Sequence, residues 1–86
     1  MFWQLDRCFT LQVRNVSESK IIFHHGSGMT HCLSGEAVAI FELFFENPDK
    51  AFNDFDIQMD FPEIKQLAHL LANLKAMNLV ATARTN

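Results

Sequence analysis

The spacing of the apolar residues changes near residue 34, and this change restricts the possible folds more than any other feature of the sequence. Before it, short runs rich in β-branched and aromatic residues alternate with polar positions, a pattern typical of half-buried strands. After it, apolar residues recur every three or four positions, as they do on one face of a helix. Strands followed by helices in one short chain predict an α+β fold.

Three strands are predicted in the first part of the chain. Residues 9–14 alternate apolar and polar side chains, and the segments 20–24 and 29–33 supply a second and a third strand. A polar turn over 15–19 and a glycine-containing turn over 26–28 separate them. The order predicts a short antiparallel meander, which needs helices packed on one face to be stable.

Two helices are predicted next. Ser34 is a good N-cap for the first, and Asn47 and Pro48 end it because the residue before a proline avoids the α region. A short second helix is predicted over 49–59, where Phe52, Phe55 and Met59 share a helical spacing. The apolar face of the first helix consists of Ala37, Ile40, Phe41, Phe44 and Phe45.

A third helix is predicted over 62–77. Asp60 is its expected cap, with Glu63 three positions later as in a capping box, and Asn78 is the expected left-handed residue after its end. Its core stripe consists of Ile64, Leu67, Leu71 and Leu74. Residues 79–81 return as a strand or a tail. The whole order predicts a winged-helix-like α+β domain with a small three-stranded antiparallel sheet followed by three helices.

Length, charge and cysteine content exclude several kinds of protein. A chain of 86 residues corresponds to one domain over 1–86. The net charge of −3 disfavours nucleic-acid phosphates and anionic membrane surfaces as partners. The first residues lack a signal-peptide pattern, and no run reaches the ~18 apolar residues of a membrane span. We therefore expect a cytoplasmic protein in which Cys8 and Cys32 are reduced, partly buried thiols. The sequence leaves one disulfide between them as the alternative.

Neither a metal site nor an active site is expected. His24, His25, His31 and Cys32 are possible ligands, but neighbours on a strand point to opposite faces, so at most two of the four share a face. A cysteine–histidine pair has no third orienting group in the sequence. We therefore predict a protein that is not an enzyme and holds no cofactor.

The segment 23–34, together with 37–43 and 74–80, resembles the PqqD family. Within that family it looks most like the PqqD-like peptide chaperones of HPr-related gene systems. The resemblance covers roughly residues 20–82. The family's signature is a Ser-Gly-x-Thr-His run followed by an aliphatic residue, a leucine and a helix start. The matching residues are Ser27, Gly28, Thr30, His31, Leu33 and Ser34.

Three positions depart from the family pattern. The family often has a proline near His25, an acidic residue near Met29 and a larger aliphatic residue at Cys32. The first and the last concern the shape of the hairpin. The absence of an acidic residue at Met29 puts any charge-based role for that position in doubt.

The resemblance implies a non-catalytic winged-helix domain that recognises a precursor peptide made on the ribosome. The leader of that peptide adds a strand to the sheet edge, lies between the third strand and the third helix, and is presented to a peptide-modifying enzyme. The implied edge strand consists of Met29, Thr30, His31, Cys32 and Leu33. The implied helix wall consists of Lys65, Gln66, His69 and Asn73.

Two other functions compete with this interpretation. A winged helix that binds DNA should present basic residues on its third helix, but Lys65 and Lys75 are balanced there by Asp60 and Glu63. A structural module is the second alternative, because an unpaired edge strand could form a homodimer with a second copy.

Overall fold

The computed structural model describes residues 1–6 and 10–83, which form an α+β fold with two small antiparallel sheets and three helices. The α+β class and the three helices are confirmed, whereas the expectation of one sheet is incomplete. In chain order the elements are β1 (Phe2–Leu5), β2 (Leu11–Val16), β3 (Ser19–His24), β4 (Met29–Leu33), α1 (Glu36–Glu46), β5 (Phe52–Asn53), α2 (Asp54–Asp60), α3 (Leu67–Ala76) and β6 (Val80–Ala83).

The first sheet, called here the hairpin sheet, has the order β2-β3-β4 and is the predicted meander. A two-residue turn joins β2 to β3, with Val16 opposite Ser19, and His24 lies opposite Met29 across the next turn. The third predicted strand, 29–33, matches β4 at both ends. The predicted first strand began at Phe9, which lies outside the described residues.

The second sheet, called here the terminal sheet, has the order β5-β1-β6 and was not predicted. Its central strand β1 pairs antiparallel with β6, so that Trp3 lies opposite Thr82 and Leu5 opposite Val80. Of the strand or tail predicted after Asn78, the structure has the strand, β6. The sheet joins residues that are far apart in sequence, which leaves no local pattern from which to predict it.

The first helix ends where the sequence predicts but starts differently. Asn47 follows its last residue as expected, whereas the start is Glu36 rather than a turn capped by Ser34. Gly35 occupies the N-cap position with φ 62° and ψ −136° and makes no side-chain cap bond. Glycine populates this region without a Cβ clash, and it supplies the sharp change of direction between β4 and α1.

The second helix is confirmed, but it lies later than predicted. Asn53 caps it by accepting a hydrogen bond from the Phe55 amide at 2.9 Å. Asparagine is unfavourable inside a helix but favourable at this N-cap position, where it begins α2. Phe52 precedes the helix and is buried in β5, not on a helix face with Phe55 and Met59. Ile57 is the residue of α2 that enters the core.

The predicted start of the third helix is wrong. Asp60 ends α2 and does not cap α3, which begins only at Leu67. The Gln58 amide Nε2 donates to the carbonyl oxygens of Phe61 at 3.0 Å and Ile64 at 2.7 Å, which stabilises a turn after α2. Pro62 disfavours the α region for Phe61, which lies just after the end of α2. Lys65 and Gln66 precede α3 rather than forming its first turn.

The end of α3 is as predicted. Asn78 adopts φ 61°, its amide donates to the Lys75 carbonyl at 2.9 Å, and the Leu79 amide donates to the Leu74 carbonyl at 3.0 Å. These two bonds define a Schellman motif. It turns the chain out of α3 and directly into β6.

One hydrophobic core joins both sheets and all three helices. The predicted stripe of Ile64, Leu67, Leu71 and Leu74 is buried, and so are Ile40, Phe41 and Phe44 of α1. Lys20 is also buried. Its ammonium lies 3.1 Å from a Glu42 carboxylate oxygen and donates to the Asn15 side chain at 2.7 Å. This ion pair links α1 to β3 of the hairpin sheet.

Candidate functional site

One edge of β4 is open. The strand pairs with β3 along its whole length, with Ile22 opposite His31 and Phe23 opposite Thr30. Among residues 1–6 and 10–83, no strand pairs with its other side. Alternate N–H and C=O groups of an edge strand point outward and are free to pair with another chain.

The side chains of β4 divide between the two faces of the hairpin sheet. Leu33 is buried in the core and His31 is half-buried on the same inner face. Thr30 and Cys32 are exposed on the outer face, and Met29 is exposed at the hairpin end. Cys32 is a free thiol and is more exposed than predicted. Leu33 therefore offers a partner only backbone groups, whereas Thr30 and Cys32 also offer side chains.

A buried histidine supports the turn that leads into β4. His24 is fully buried, and its Nδ1 accepts a hydrogen bond from the Ser27 amide at 3.1 Å and lies 3.0 Å from the Ser27 hydroxyl. The Ser27 hydroxyl oxygen in turn accepts from the Met29 amide at 3.2 Å. Because Nδ1 is an acceptor here, the hydroxyl donates to it. Ser27 and His24 thus shape the turn, a role that the strand pattern did not indicate.

Three of the four predicted wall residues lie together. A cavity of about 310 Å³, called here the polar cavity, is lined by Glu36, Glu63, Lys65, Gln66, His69 and Leu70. Asn73 is exposed on α3 but does not line it. None of the five predicted β4 residues lines it either. Glu36 connects the two regions in sequence, since it begins α1 three positions after the end of β4.

The outer face of the hairpin sheet has a hollow that the sequence analysis missed. It encloses about 250 Å³ and is lined by Gln12, Arg14, Ile21, Phe23 and Thr30. Phe23 is an exposed aromatic residue on this face, and Thr30 brings β4 into the wall. In the predicted strand 20–24, which is β3 in the structure, alternation places Ile21 and Phe23 on the face opposite to Ile22. This alternation was the available indication of an apolar outer surface.

The histidines and cysteines do not form a metal site in the described part of the chain. His24 and His31 share the inner face of the hairpin sheet, as one ligand from each strand. No group of three or more His, Cys, Asp or Glu side chains among residues 1–6 and 10–83 converges to hold a metal ion. Cys8 lies outside the described residues.

The helices are also short. The longest described helix, α1, has 11 residues. None of the described helices combines the length and the apolar character required to cross a bilayer.

No family model, curated protein or solved structure matches this chain. The resemblance to the PqqD family therefore stays a prediction. A functional interpretation depends on the geometry of the β4 edge and the cavities around it.

Proposed function

We propose that this chain is a non-catalytic, cytoplasmic peptide-binding module of the PqqD type with a winged-helix-like arrangement. In this proposal the leader of a ribosomally synthesised precursor adds as a strand to the open edge of β4, and the module presents it to a peptide-modifying enzyme. The observation that carries the proposal is that, within the described ranges 1–6 and 10–83, β4 pairs with β3 and with no strand on its other side.

The composition of β4 supports its use as a docking edge. Soluble proteins protect edge strands from pairing with other chains by placing lysine, proline or a bulge on them. The β4 sequence, Met-Thr-His-Cys-Leu, contains neither a lysine nor a proline, and its pairing with β3 runs without interruption. The opposite edge strand, β2, carries Arg14. An incoming strand is therefore better accommodated at β4.

The polar cavity supplies the second proposed contact. Lys65, Gln66 and His69 offer hydrogen-bond donors there, and Glu36 and Glu63 offer carboxylates. Main-chain hydrogen bonds to β4 give affinity for any extended peptide. Specificity for one peptide sequence must therefore come from side-chain contacts, such as those in this cavity. Asn73 does not line the cavity, but it is exposed four residues after His69 on α3 and completes the proposed helix wall on that face.

A titration tests this assignment. ¹⁵N-labelled protein is titrated with a synthetic peptide of the leader encoded beside its gene. We expect amide shifts in Met29–Leu33, because those groups gain hydrogen bonds, and in residues 65–73. Shifts confined to α1, or no shifts at all, would contradict the proposal.

Proline substitution separates the backbone contact from the fold. Successive amides of an antiparallel strand point to opposite sides, so in the pair Thr30→Pro and His31→Pro one substitution removes a bond to β3 and the other removes a donor from the open edge. We expect the variant that loses the bond to β3 to have a lower melting temperature. The variant that loses the donor at the open edge, called here the edge-proline variant, should fold normally but lose leader binding. A stable edge-proline variant that binds as tightly as the wild type would contradict strand addition.

The two alternative functions predict different measurements. A DNA-binding protein would shift random duplex at low salt with a steep salt dependence. The exposed acidic residues Asp54, Asp56, Asp60 and Glu63 oppose that outcome. A dimerisation module would show a mass that rises with concentration in sedimentation, and the edge-proline variant would abolish the rise.

A further inference from the structure

The outer face of the hairpin sheet is free of acidic side chains. Strand pairing arranges its side chains in rows across the strands, and these rows consist of Gln12, Phe23 and Thr30, of Arg14, Ile21 and Cys32, and of Val16 and Ser19. All of them are exposed or half-buried. Arg14 is the one charged residue among them, although the whole chain carries ten acidic residues. The charge of this face is therefore opposite in sign to that of the protein.

The hollow of about 250 Å³ described above lies on this face and is called here the outer hollow. Ile21 and Phe23 make its lining mainly apolar. The Phe23 ring packs edge-on against the His25 ring, with the two centroids 4.8 Å apart, and Phe23 is still 36% exposed. A preformed hollow beside an exposed aromatic ring suits an apolar anchor side chain from a partner.

Arg14 gives the outer hollow its charge. Among the described residues it is the only charged one in the lining, and it forms no ion pair there. Glu18, the acidic residue nearest to it in sequence, lies in the turn after β2 and does not line the hollow. A guanidinium matches the two oxygens of a carboxylate. Arginine and aromatic residues are enriched at protein interfaces, whereas lysine and acidic residues are depleted there.

We infer that the outer hollow is a docking surface for a protein segment that places a carboxylate beside an apolar side chain. The apolar side chain would pack on Ile21 and Phe23, and the carboxylate would pair with Arg14. A second copy of this chain fits poorly, because a symmetric contact pairs this face with itself and supplies no carboxylate to either Arg14.

The inference does not rest on the proposed function. The outer hollow shares no lining residue with the polar cavity. Thr30 belongs to both proposals in different ways, because the leader would bond to the backbone of β4, whereas the hollow is lined by the exposed outer face of that strand.

The probe is a synthetic amphipathic helical peptide with one stripe of leucine and phenylalanine flanked by glutamates. The matched probe replaces every glutamate with lysine. We expect the glutamate peptide to shift the amides of residues 12–14 and 21–23, with binding that weakens as salt rises. The lysine peptide should leave these amides unshifted. Phe23→Ser should weaken binding of the glutamate peptide at least about tenfold, because it removes the aromatic contact.

Reversal of the one charge gives the sharper test. Arg14→Glu should weaken binding of the glutamate peptide at least about tenfold and should let the lysine peptide shift residues 21–23 instead. Lys75→Glu is the matched control, because it changes the net charge equally at an exposed residue of α3 that does not line the hollow. It should leave binding of the glutamate peptide unchanged, and circular dichroism should show that all variants keep the wild-type fold.

The leader titration separates the two proposals, since Arg14→Glu should leave the shifts of Met29–Leu33 unchanged. A leader that does not bind would contradict the proposed function alone, provided that the glutamate peptide still binds to the outer hollow.

Three results would overturn the inference. The glutamate peptide fails to shift residues 12–14 and 21–23 at millimolar concentration, the two peptides shift them equally, or Lys75→Glu weakens binding as much as Arg14→Glu. Binding of random duplex DNA that Arg14→Glu abolishes would also overturn it, since the face would then recognise phosphates.

Discussion

Gln58 is the residue on which the junction between α2 and α3 depends. Its side-chain amide bridges two backbone carbonyls, those of Phe61 and Ile64. These carbonyls follow the end of α2, where the chain has left the helix and the backbone acceptors have no helical partner. Together with the Ile64 amide, which donates to the Phe61 carbonyl at 3.1 Å, this side chain stabilises the segment that carries Glu63 and Lys65 of the polar cavity.

We expect Gln58→Glu to lower the free energy of unfolding by about 1–3 kcal/mol, because it removes the donor and sets a carboxylate against two carbonyl oxygens. Urea denaturation measures the change. Gln4→Glu is the matched control, since Gln4 is exposed on β1, and it should cost less than about 0.5 kcal/mol. Equal costs for the two variants would contradict the bridging role.

Single residues were predictable from the sequence where their role depends on periodicity. Ile64, Leu67, Leu71 and Leu74 form the buried stripe as predicted, although Ile64 lies outside the helix. Gln58 was not predictable in this way, because its bonds reach three and six positions along the chain and leave no repeating pattern. His24 was missed for a similar reason, since its burial follows from tertiary contacts and its bonds to Ser27 leave no repeating pattern.

Among the elements, the connection from β4 to α1 depends on one glycine. Gly35 has φ 62°, and a Cβ placed there would contact nothing within 4 Å. The cost of a side chain therefore comes from the backbone alone. This glycine sets where α1 begins, and hence where Glu36 enters the polar cavity.

We expect Gly35→Ala to destabilise the protein by about 1–3 kcal/mol, because an alanine with the positive φ of Gly35 has a strained backbone. Gly26→Ala is the control, because Gly26 is not among the described glycines with positive φ. Thermal denaturation compares the two. A Gly35→Ala protein as stable as the Gly26→Ala protein would show that the junction tolerates another conformation.

Elements were predicted well where local chemistry defines them. The bounds of β4 follow from the glycine-containing turn before it and the helix start after it. The end of α1 follows from a proline, and the left-handed Asn78 from a residue that tolerates the αL region. The predicted start of α3 was wrong because Asp60 and Glu63 fit the pattern of a capping box. In the structure these residues belong to the end of α2 and to the turn that Gln58 bridges. The predicted helix wall shifted accordingly, with Lys65 and Gln66 in the preceding segment and His69 within the helix.

At the scale of the whole molecule, the two sheets share one core. Trp3 and Leu5 of the terminal sheet are buried in the same cluster as Ile22 and Leu33 of the hairpin sheet. A shared core makes the unfolding of one sheet expose the apolar surface of the other. The chain should therefore unfold in a single cooperative step.

Trp3 reports on this prediction, since it is the one tryptophan in the sequence and is 7% exposed. We expect its fluorescence and the far-UV circular dichroism to change at the same urea concentration. The fluorescence follows the terminal sheet, while the dichroism follows all helices and strands. Two separated midpoints would show instead that the sheets unfold independently.

The order β5-β1-β6 has a consequence for the chain as it is made. Strand β1 leaves the ribosome before its partner β6, which follows roughly 75 residues later; at about 5–20 residues per second this is a wait of about 4–15 s. The strands of the hairpin sheet lie between β1 and β6 in sequence, and each pairs with the next strand along the chain. The hairpin sheet therefore has time to form first. During that interval Trp3 and Leu5 are newly synthesised apolar side chains without their final neighbours, and such transiently exposed apolar surface favours aggregation until β6 is made.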